Sequence, residues 1–383
     1  MYNFKKFMRK LLPRLGAVVA AIAVGIGLYA ALVVTTYKPD NSTADVPFDT
    51  EPSSDSDKST GAKVDKETRY NFLVMGHDRA ANLTDVIMLV SYDTDAQSIT
   101  VMQIPRDTYV ELDDYYYHKI NGAYNYFIAQ ERENGAADPE LSGCRDLAAY
   151  FEKNLAIKIH YCAVMDLDGF EGIVDAIGGV YMYVPMDMYY VDIEQDLYID
   201  LKEGYQRLNG NTAEQFVRFR YGYATGDIGR GNAQKLFMTA FIKQLRESIS
   251  ASDVSLISSL ASNVINYVKT DLTVSDMVYF GKAFVGVGKS GGVDLDNVNM
   301  LTMPGISHTY DGLSYYIMNR EATARIIGEY YNIYNINIDS SFDKNKVFVN
   351  ESVSEIYSIY NLPESEIKTD IYTGDDLDEN GLS

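Results

Sequence analysis

The feature that most constrains the fold of this chain is an apolar run near its N-terminus. Residues from Leu15 to about Val34 contain no charged side chain. At ~1.5 Å per residue in a helix, the run is long enough to cross a ~30 Å hydrocarbon core. Five Lys and Arg residues lie within the first fourteen positions, so the positive-inside tendency places residues 1–14 in the cytoplasm. The sequence therefore predicts one transmembrane helix over 15–36, with the rest of the chain extracellular.

A cleaved signal peptide is the alternative interpretation of the same run. The apolar region of a signal peptide is normally ~7 to 15 residues long and ends in small residues at a cleavage site. Here the run continues into Leu32, Val33 and Val34. We therefore favour an uncleaved anchor in the cell membrane.

The part of the chain that follows the apolar run is strongly acidic. Five of the 33 Lys and Arg residues precede the run, whereas all 54 Asp and Glu residues follow it. The part of the chain after the run therefore has 28 basic and 54 acidic residues, a net charge of −26. Nucleic-acid binding depends on basic surface, so this balance argues against a nucleic-acid partner and a transcription regulator. An anionic substrate would need a local cluster of arginines.

The cysteine and histidine content narrows the kinds of metal and disulfide chemistry. Cys144 and Cys162 are the only cysteines, so the chain is neither a disulfide scaffold nor a Cys-rich zinc protein. One disulfide between them and two semi-buried thiols both stay open. The histidines are scattered singly, so none is assigned to a metal: His77, His118, His160 and His308.

Composition divides the extracellular part into three segments. Residues 37–67 are rich in polar residues and Pro, which predicts a flexible linker. Residues 336–383 are predicted to be an acidic C-terminal extension that is largely flexible, loose from about Glu364, with one short element within Val347–Tyr360. Residues 68–335 carry the apolar patterning of a folded domain.

Within the folded domain, short β-rich runs alternate with helical patterns. Strands are predicted at Tyr70–Met75, Asp85–Tyr92, Ile99–Ile104, Ile159–Met165, Val180–Val184 and Val298–Thr302. Helices are predicted at Cys144–Leu155, Leu167–Ile177, Thr212–Val217, Gly229–Arg246, Ser255–Tyr267, Val274–Val285 and Arg320–Tyr331. Asp93–Gln97 is short enough for a hairpin. This pattern predicts an α/β fold in which helices cover the faces of a mixed central sheet.

Charged residues collect where the first three predicted strands begin or end. Asp78 follows the first strand and Asp85 opens the second, and Mg²⁺ usually takes one or two protein carboxylates. The alternative is that Asp78 is a turn residue that pairs with Arg79. Pro105 ends the third strand, which places Arg106 where ligands collect in open α/β sheets.

Arg218 and Arg220 are the strongest sign of an anionic ligand. Apolar and polar residues alternate over Gln215–Tyr221, so in an extended conformation both guanidinium groups would point to one side. Two like charges on one side repel each other unless an anion, or a matching pair of carboxylates, lies between them.

The start of the long predicted helix carries a second polar set. Asp227, Arg230 and Gln234 follow one another at spacings of three and four, which places them on one helix face. Helix N-termini favour anions. A capping role for Asp227 is the alternative.

In order and spacing, these motifs resemble the LytR-CpsA-Psr family of phosphotransferases. The resemblance covers roughly Arg69 to Gln244. It rests on Gly76-x-Asp78, Thr84-Asp85-Val86-Ile87-Met88, Ile104-Pro105-Arg106-Asp107, Lys119-Ile120-Asn121, Gly178-Gly179-Val180, Arg218-x-Arg220 and Asp227-x-x-Arg230. Met303-Pro304-Gly305 resembles a later strand and turn of the family, and the predicted anchor matches its topology.

The resemblance implies transfer of a phosphate-linked glycopolymer, such as teichoic acid or capsule, from a polyprenyl-pyrophosphate carrier to peptidoglycan. It implies an apolar lipid tunnel between sheet and helices, and Mg²⁺ (or Mn²⁺) held by Asp78 and Asp85. Asp85, Arg106 and Asp107 would be catalytic, and either aspartate could take the acceptor proton. The implied pyrophosphate ligands are Arg79, Arg106, Lys119, Arg218, Arg220, Arg230 and Gln234. Such a site suits phosphoryl transfer, which depends on positioning and charge neutralisation.

Two positions depart from the family pattern. Ala233 stands where members usually have a second arginine, and Arg79 follows Asp78 directly instead of by two residues. The first departure bears on substrate specificity. A hydrolase of the same lipid pyrophosphate and a non-catalytic lipid- or glycan-binding protein stay as alternatives. The motifs do not separate transferase from hydrolase, whereas the two metal carboxylates argue against a pure binding protein.

Overall fold

The computed structural model describes residues 37–39, 67–78, 83–193, 197–220, 222–223, 227–249, 254–289, 291–334, 348–349 and 352–373. The predicted anchor and most of the predicted linker lie outside these residues. Within them, no helix has both the length and the apolar composition to cross a membrane.

A seven-stranded mixed sheet organises the domain, in the order β13-β10-β3-β2-β1-β4-β9. β2 runs antiparallel to β1 and β3, whereas β4 is parallel to β1 and β10 is parallel to β3. The strands are β1 Arg69–Asp78, β2 Leu83–Asp93, β3 Ser98–Gln103, β4 Tyr161–Met165, β9 Lys269–Thr270, β10 Val298–Thr302 and β13 Ile371–Thr373. The mixed sheet and the hairpin between β2 and β3 were both predicted and are confirmed.

Three two-stranded ribbons lie outside the central sheet: β5 with β8, β6 with β7 and β11 with β12. Their ranges are β5 Val180–Val184, β6 Met188–Asp192, β7 Leu197–Leu201, β8 Gly204–Leu208, β11 Gly305–Tyr310 and β12 Leu313–Met318. All six predicted strands are present, whereas β6 to β9 and β11 to β13 were not predicted.

The helices confirm each predicted helical segment and add one that was missed, α1. They are α1 Ala123–Glu133, α2 Pro139–Leu155, α3 Leu167–Ala176, α4 Gly210–Arg218, α5 Asp227–Ser248, α6 Val254–Val264, α7 Val274–Phe284, α8 Arg320–Ile326 and α9 Ser354–Tyr360. A π-helical turn continues α8 to Tyr331.

Two hydrophobic clusters fill the two faces of the sheet. Along β1, Leu73 and Met75 belong to the first cluster, whereas Phe72 and Val74 pack against the second, as expected because side chains alternate across a strand. The first cluster is completed by α1, α2, α8 and α9, and the second by α3 to α7. The sheet is therefore covered by helices on both faces, as predicted.

The C-terminal extension is more ordered than the sequence predicts. α9 matches the predicted short element, but Glu364–Glu366 form a 3₁₀ turn and Ile371–Thr373 add β13 to the open edge of β10. The prediction of a loose tail from Glu364 is therefore wrong for residues 364–373. Backbone hydrogen bonds to an unpaired strand edge order this segment despite its acidic composition.

The two cysteines are buried free thiols that lie near each other. Cys144 is on α2 and Cys162 on β4. A hydrogen bond with Cys162, together with burial, raises the pKa of the Cys144 thiol well above its usual value. Of the two alternatives left open by the sequence, the structure has the unpaired thiols.

Candidate active site

The C-terminal ends of several strands lie side by side at one end of the sheet, which we call the strand-end edge. β1, β3, β4 and β10 all run in the same direction, and the antiparallel β2 begins where they end. Asp78 is the last residue of β1, and Arg106 follows the end of β3 by three residues. The structure therefore places these polar motifs, which are far apart in sequence, at a common edge.

A β-bulge sets the direction of Asp85. The register of β1 against β2 shifts between Gly76 and His77, because Asp85 has no partner in the ladder. A bulge bends its strand and re-aims the extra side chain. Asp78 pairs with Leu83 on the same ladder, so both predicted metal carboxylates lie at one end of the β1–β2 hairpin.

Ion pairs connect the motifs at this edge. Arg106 Nη1 donates to Asp85 Oδ1 at 2.9 Å, and Arg106 Nε lies 3.8 Å from Asp107 Oδ2. Lys119 Nζ donates to Asp107 Oδ1 at 2.8 Å. These side chains are between 24% and 40% exposed, so a ligand from solvent can reach them. We call Asp85, Arg106, Asp107 and Lys119 the strand-end cluster.

Backbone hydrogen bonds hold the segments of this cluster together. The amides of Asn121 and Ile120 donate to the carbonyls of Arg106 and Thr108, at 3.1 and 2.9 Å. Thr84 Oγ1 donates to the carbonyl of Asn121 at 2.9 Å. Three motifs that the sequence separates are therefore one structural unit.

The conformation predicted around Arg218 needs correction. Residues 210–218 form α4, so Gln215–Tyr221 is not one extended segment. Asn209 caps the helix through a bond from the Thr212 amide, and Phe216 is buried. The helix is stabilised by this cap and by its buried face, and the apparent alternation arises where it ends. Phe219, which directly follows the helix, has an extended backbone conformation.

Arg218 has a carboxylate partner in this structure. Its Nη1 donates to Glu214 Oε1, one turn earlier in α4, at 2.6 Å. Glu171 on α3 lies beside Glu214, and its hydrogen bond to that carboxyl raises the pKa of Glu171. For Arg218 the structure therefore has a carboxylate partner, which is the alternative to an anionic ligand. Arg220 follows the helix and is exposed.

Gln234 links helix α5 to the strand ends. Gln103 Nε2 donates to Gln234 Oε1 at 2.8 Å, and Gln234 Nε2 donates to the carbonyl of Val217 at 3.3 Å. Gly231 permits this approach, because a Cβ there would lie 3.2 Å from Gln103 Oε1. Ala233 is fully buried in the second cluster, so the position that departs from the family pattern serves packing here.

Lys235 is a buried charge that the sequence analysis missed. It is 6% exposed, its Nζ lies 3.3 Å from Thr302 Oγ1, and it stands 5.1 Å above the ring of Tyr372 in β13. Burial lowers the pKa of Lys235 to about 8. The only signal was a lysine between apolar helix positions. We call Arg218, Gln234 and Lys235 the helix wall.

The other predicted ligands have simpler placements. Arg230 lies half-buried in the first turn of α5, three residues after Asp227, as the predicted spacing requires. Arg79 lies outside the described residues. Among the residues that the structure describes, no group of three or more His, Cys, Asp or Glu side chains could hold a metal ion. A magnesium site at Asp78 and Asp85 would therefore depend on water and substrate oxygens, as magnesium sites usually do.

A cavity of about 690 Å³ opens beside Lys119. Four of the eleven residues around it are tyrosines, and the lining comes mainly from the segment 114–122, from α1 and from the first residues of β2 and β12. The sequence signal was the run Tyr115-Tyr116-Tyr117, to which the sequence analysis assigned no role.

Comparison with known proteins places these features in context. A profile of the LytR_cpsA_psr family matches residues 33–330. Regulatory protein MsrR of Staphylococcus aureus (strain COL) is 31% identical over 256 residues, which cover 66% of this chain and 69% of that protein. The polyisoprenyl-teichoic acid–peptidoglycan teichoic acid transferase TagU of Bacillus mycoides is 27% identical over 322 residues, which cover 80% and 92%.

A solved structure, TagT bound to LI-WTA, has the same fold. It superimposes with a TM-score of 0.51 at 19% identity, over 70% of this chain and 92% of that chain. At this level of identity the likeness concerns the fold alone.

Proposed function

The chain belongs to the LytR_cpsA_psr family, and from that premise we propose that it transfers a phosphate-linked glycopolymer from a polyprenyl-pyrophosphate carrier to peptidoglycan. The name of the Bacillus mycoides relative supports a teichoic acid or a similar glycopolymer as the cargo. The observation that carries the proposal is the strand-end cluster, where Arg106 lies between two carboxylates at an accessible sheet edge.

In the proposed reaction, a sugar hydroxyl of peptidoglycan attacks the phosphorus nearest the glycopolymer. A new P–O bond forms, the bond from that phosphorus to the bridging oxygen breaks, and polyprenyl phosphate leaves with the bonding electrons. Charge on the phosphoryl oxygens must be neutralised in the transition state. Arg106 and Lys119 would supply positive charge already oriented by their ion pairs, which is the preorganisation that such catalysis requires.

A carboxylate of the cluster would accept the proton of the attacking hydroxyl. Asp85 accepts a hydrogen bond from Arg106, and Asp107 accepts one from Lys119, so both are held in fixed orientations. A general base must come within hydrogen-bond reach of the proton that it removes. Comparison of Asp85→Asn with Asp107→Asn would assign the role.

We propose that Mg²⁺ (or Mn²⁺) binds at Asp78 and Asp85. Two carboxylates at one end of a hairpin, one of them aimed by a bulge, fit an ion that takes one or two protein carboxylates and adds water and phosphate oxygens. When bound, the ion would neutralise pyrophosphate charge.

Most of the remaining pyrophosphate ligands would come from α4, from the segment that follows it and from α5. Arg218 would exchange Glu214 for a phosphate oxygen, Arg220 and Arg230 would add charge, and Gln234 would add a polar contact. Arg79 stays a proposed ligand. The lipid tunnel between sheet and helices likewise stays a prediction, as does the location outside the cell membrane, with 15–36 as the anchor and 1–14 in the cytoplasm.

The test uses the full chain in detergent micelles with Mg²⁺, a synthetic polyprenyl-pyrophosphate glycan and peptidoglycan fragments. Release of polyprenyl phosphate and attachment of glycan are followed separately. We expect attachment, and its loss in Asp85→Ala. Asp187→Ala is the control, since its pair with Lys202 is an exposed ion pair remote in sequence from the cluster. Release without attachment would indicate the hydrolase, and neither activity with lipid still bound would leave a binding protein.

A further inference from the structure

The cavity beside the strand-end cluster has the composition of a ligand site. Its volume of about 690 Å³ lies within the range of small-molecule pockets, which combine aromatic walls with a few polar groups. The aromatic wall is formed by Tyr115, Tyr116, Tyr117 and Tyr126, and the polar groups include Lys119, Asn121 and Asn125.

Two of these tyrosines present their rings to solvent. Tyr116 is 84% exposed and Tyr117 is 68% exposed. The rings lie 5.8 Å apart at an interplanar angle of 81°, so they offer two differently oriented apolar faces. Adjacent exposed aromatics are unfavourable in water and commonly mark a binding surface. Their hydroxyls also suit a ligand that is both apolar and polar.

The loop that carries these rings is held in place by hydrogen bonds from neighbouring tyrosines. Tyr126 Oη donates to the carbonyl of Asp113 at 2.7 Å, and Tyr115 Oη donates to the carbonyl of Lys119 at 2.7 Å. Between them, Asp114 adopts a left-handed conformation with φ of 56°. A ligand would therefore meet a preformed surface, which lowers the entropic cost of binding.

Lys119 belongs both to the cavity and to the strand-end cluster. It lines the cavity, and its Nζ donates to Asp107 Oδ1 at 2.8 Å. Asp107 in turn lies beside Arg106. A group bound against the tyrosines would therefore end next to the residues proposed to act on the phosphate.

The cavity and the helix wall lie on opposite faces of the sheet. Tyr115 packs against the first cluster, whereas α4 and α5, which carry Arg218 and Gln234, pack in the second. In phosphoryl transfer the attacking and leaving oxygens are roughly in line through phosphorus. If the pyrophosphate is held from the helix wall, the attacking hydroxyl is expected from the side of the cavity.

We propose that this cavity binds the acceptor saccharide, a chain of N-acetylated amino sugars. The sugar rings would stack on Tyr116 and Tyr117, and the amides of Asn121 and Asn125 would bond to N-acetyl groups or hydroxyls. The identity of the sugar as acceptor rests on the proposed transferase function. Binding of a saccharide by stacking on Tyr116 and Tyr117 does not depend on that function.

The first experiment measures binding by the full chain in detergent micelles. The probe is a soluble, uncrosslinked strand of alternating N-acetylglucosamine and N-acetylmuramic acid, titrated by calorimetry. The double variant Tyr116→Ala/Tyr117→Ala is expected to bind about tenfold more weakly, since each lost aromatic contact contributes severalfold. The double phenylalanine variant keeps the rings and is expected to bind nearly as wild type.

Tyr189→Ala is the matched control, because Tyr189 in β6 is 67% exposed, close to the value for Tyr117. Its affinity for the strand is expected to be unchanged. Equal affinity of the double alanine variant and wild type, or an equal loss in Tyr189→Ala, would overturn the proposal.

The second experiment separates acceptor from donor in the transfer assay. The double alanine variant is expected to raise KM for the peptidoglycan strand and to leave KM for the lipid-linked donor unchanged. A rise in the donor KM instead would assign the cavity to the donor glycan and overturn the proposal. Tyrosine-dependent strand binding without any transfer would refute the proposed function and leave the saccharide site standing.

Discussion

The strand-end cluster and the helix wall differ in how their charged and polar groups are satisfied. In the cluster, Arg106 and Lys119 pair with carboxylates and are each 24% exposed. In the helix wall, Gln234 and Lys235 are only 7% and 6% exposed and bond to strand residues inside the protein. Partly exposed ion pairs are worth little to stability, so the cluster can exchange partners for a phosphate, whereas the buried Gln234 and Lys235 of the helix wall are tied to packing.

The largest expected effect is on the activity of Arg106→Ala. We expect kcat/KM for transfer to fall by about 10³-fold or more, as for arginines that stabilise phosphoryl transition states. The melting temperature should change little, because the ion pairs of Arg106 are partly exposed. The transfer assay and thermal unfolding measure the two quantities. A small loss of activity with a large loss of stability would reverse the contrast between the two regions.

Arg218→Ala is expected to lower transfer by about 10²-fold, as for loss of one preorganised donor. Glu214→Gln removes the partner of Arg218 without removing the guanidinium, so transfer should persist in that variant. Both are measured with lipid-linked donor at varied concentration. Equal losses in the two variants would mean that the ion pair stabilises α4 and that Arg218 does not bind phosphate.

The Gln103–Gln234 hydrogen bond is expected to contribute to stability. Removal of Gln103 by Gln103→Ala leaves the buried Gln234 amide without this partner, which should cost about 1–3 kcal/mol in the free energy of unfolding. Denaturant unfolding of both single variants and the double variant gives the coupling. Strictly additive losses would show that the two side chains act independently.

Lys235 predicts a small dependence of stability on pH. The pKa of Lys235 is about 8 in the folded protein, compared with 10.5 for an unburied lysine. Between these pH values the unfolded chain therefore binds more protons than the folded protein, so the free energy of unfolding rises with pH. Relative to Lys235→Met, wild type should gain about 1 kcal/mol in the free energy of unfolding between pH 7 and pH 9. Parallel pH profiles for the two proteins would contradict the lowered pKa.

The contrast between the strand-end cluster and the helix wall also explains which features could be predicted from the sequence. Asp85 and Arg106 adjoin strands with strong apolar patterns, so strand direction alone brings them together. The conformation around Arg218 was misread, because its alternating residues lie at a helix end, and the Asn209 cap was the overlooked signal. The helix-wall contact of Lys235 with Thr302 and Tyr372 needs three elements to pack together, and no local pattern encodes that.

The tyrosine cavity and β13 illustrate a second limit. Three consecutive tyrosines show no strand or helix period, so their shared wall depends on the loop fixed by Tyr126 on α1, the helix that was missed. β13 has only three residues, too few for a pattern, and its partner β10 lies far upstream. Sequence reasoning therefore found the sheet and its charged edge but not the surfaces completed by distant segments.

β13 also has a consequence for the order in which the protein is made. A ribosome delivers the chain from its N-terminus, and the other six strands of the sheet are complete at Thr302. Until Ile371–Thr373 has emerged, the outer edge of β10 is unpaired and Tyr372 does not cover Lys235. An unpaired edge is a template for association with other chains. While about seventy residues from Thr302 to Thr373 are being added, the nascent protein is therefore exposed to association through this strand edge, and the pairing of β13 ends that exposure.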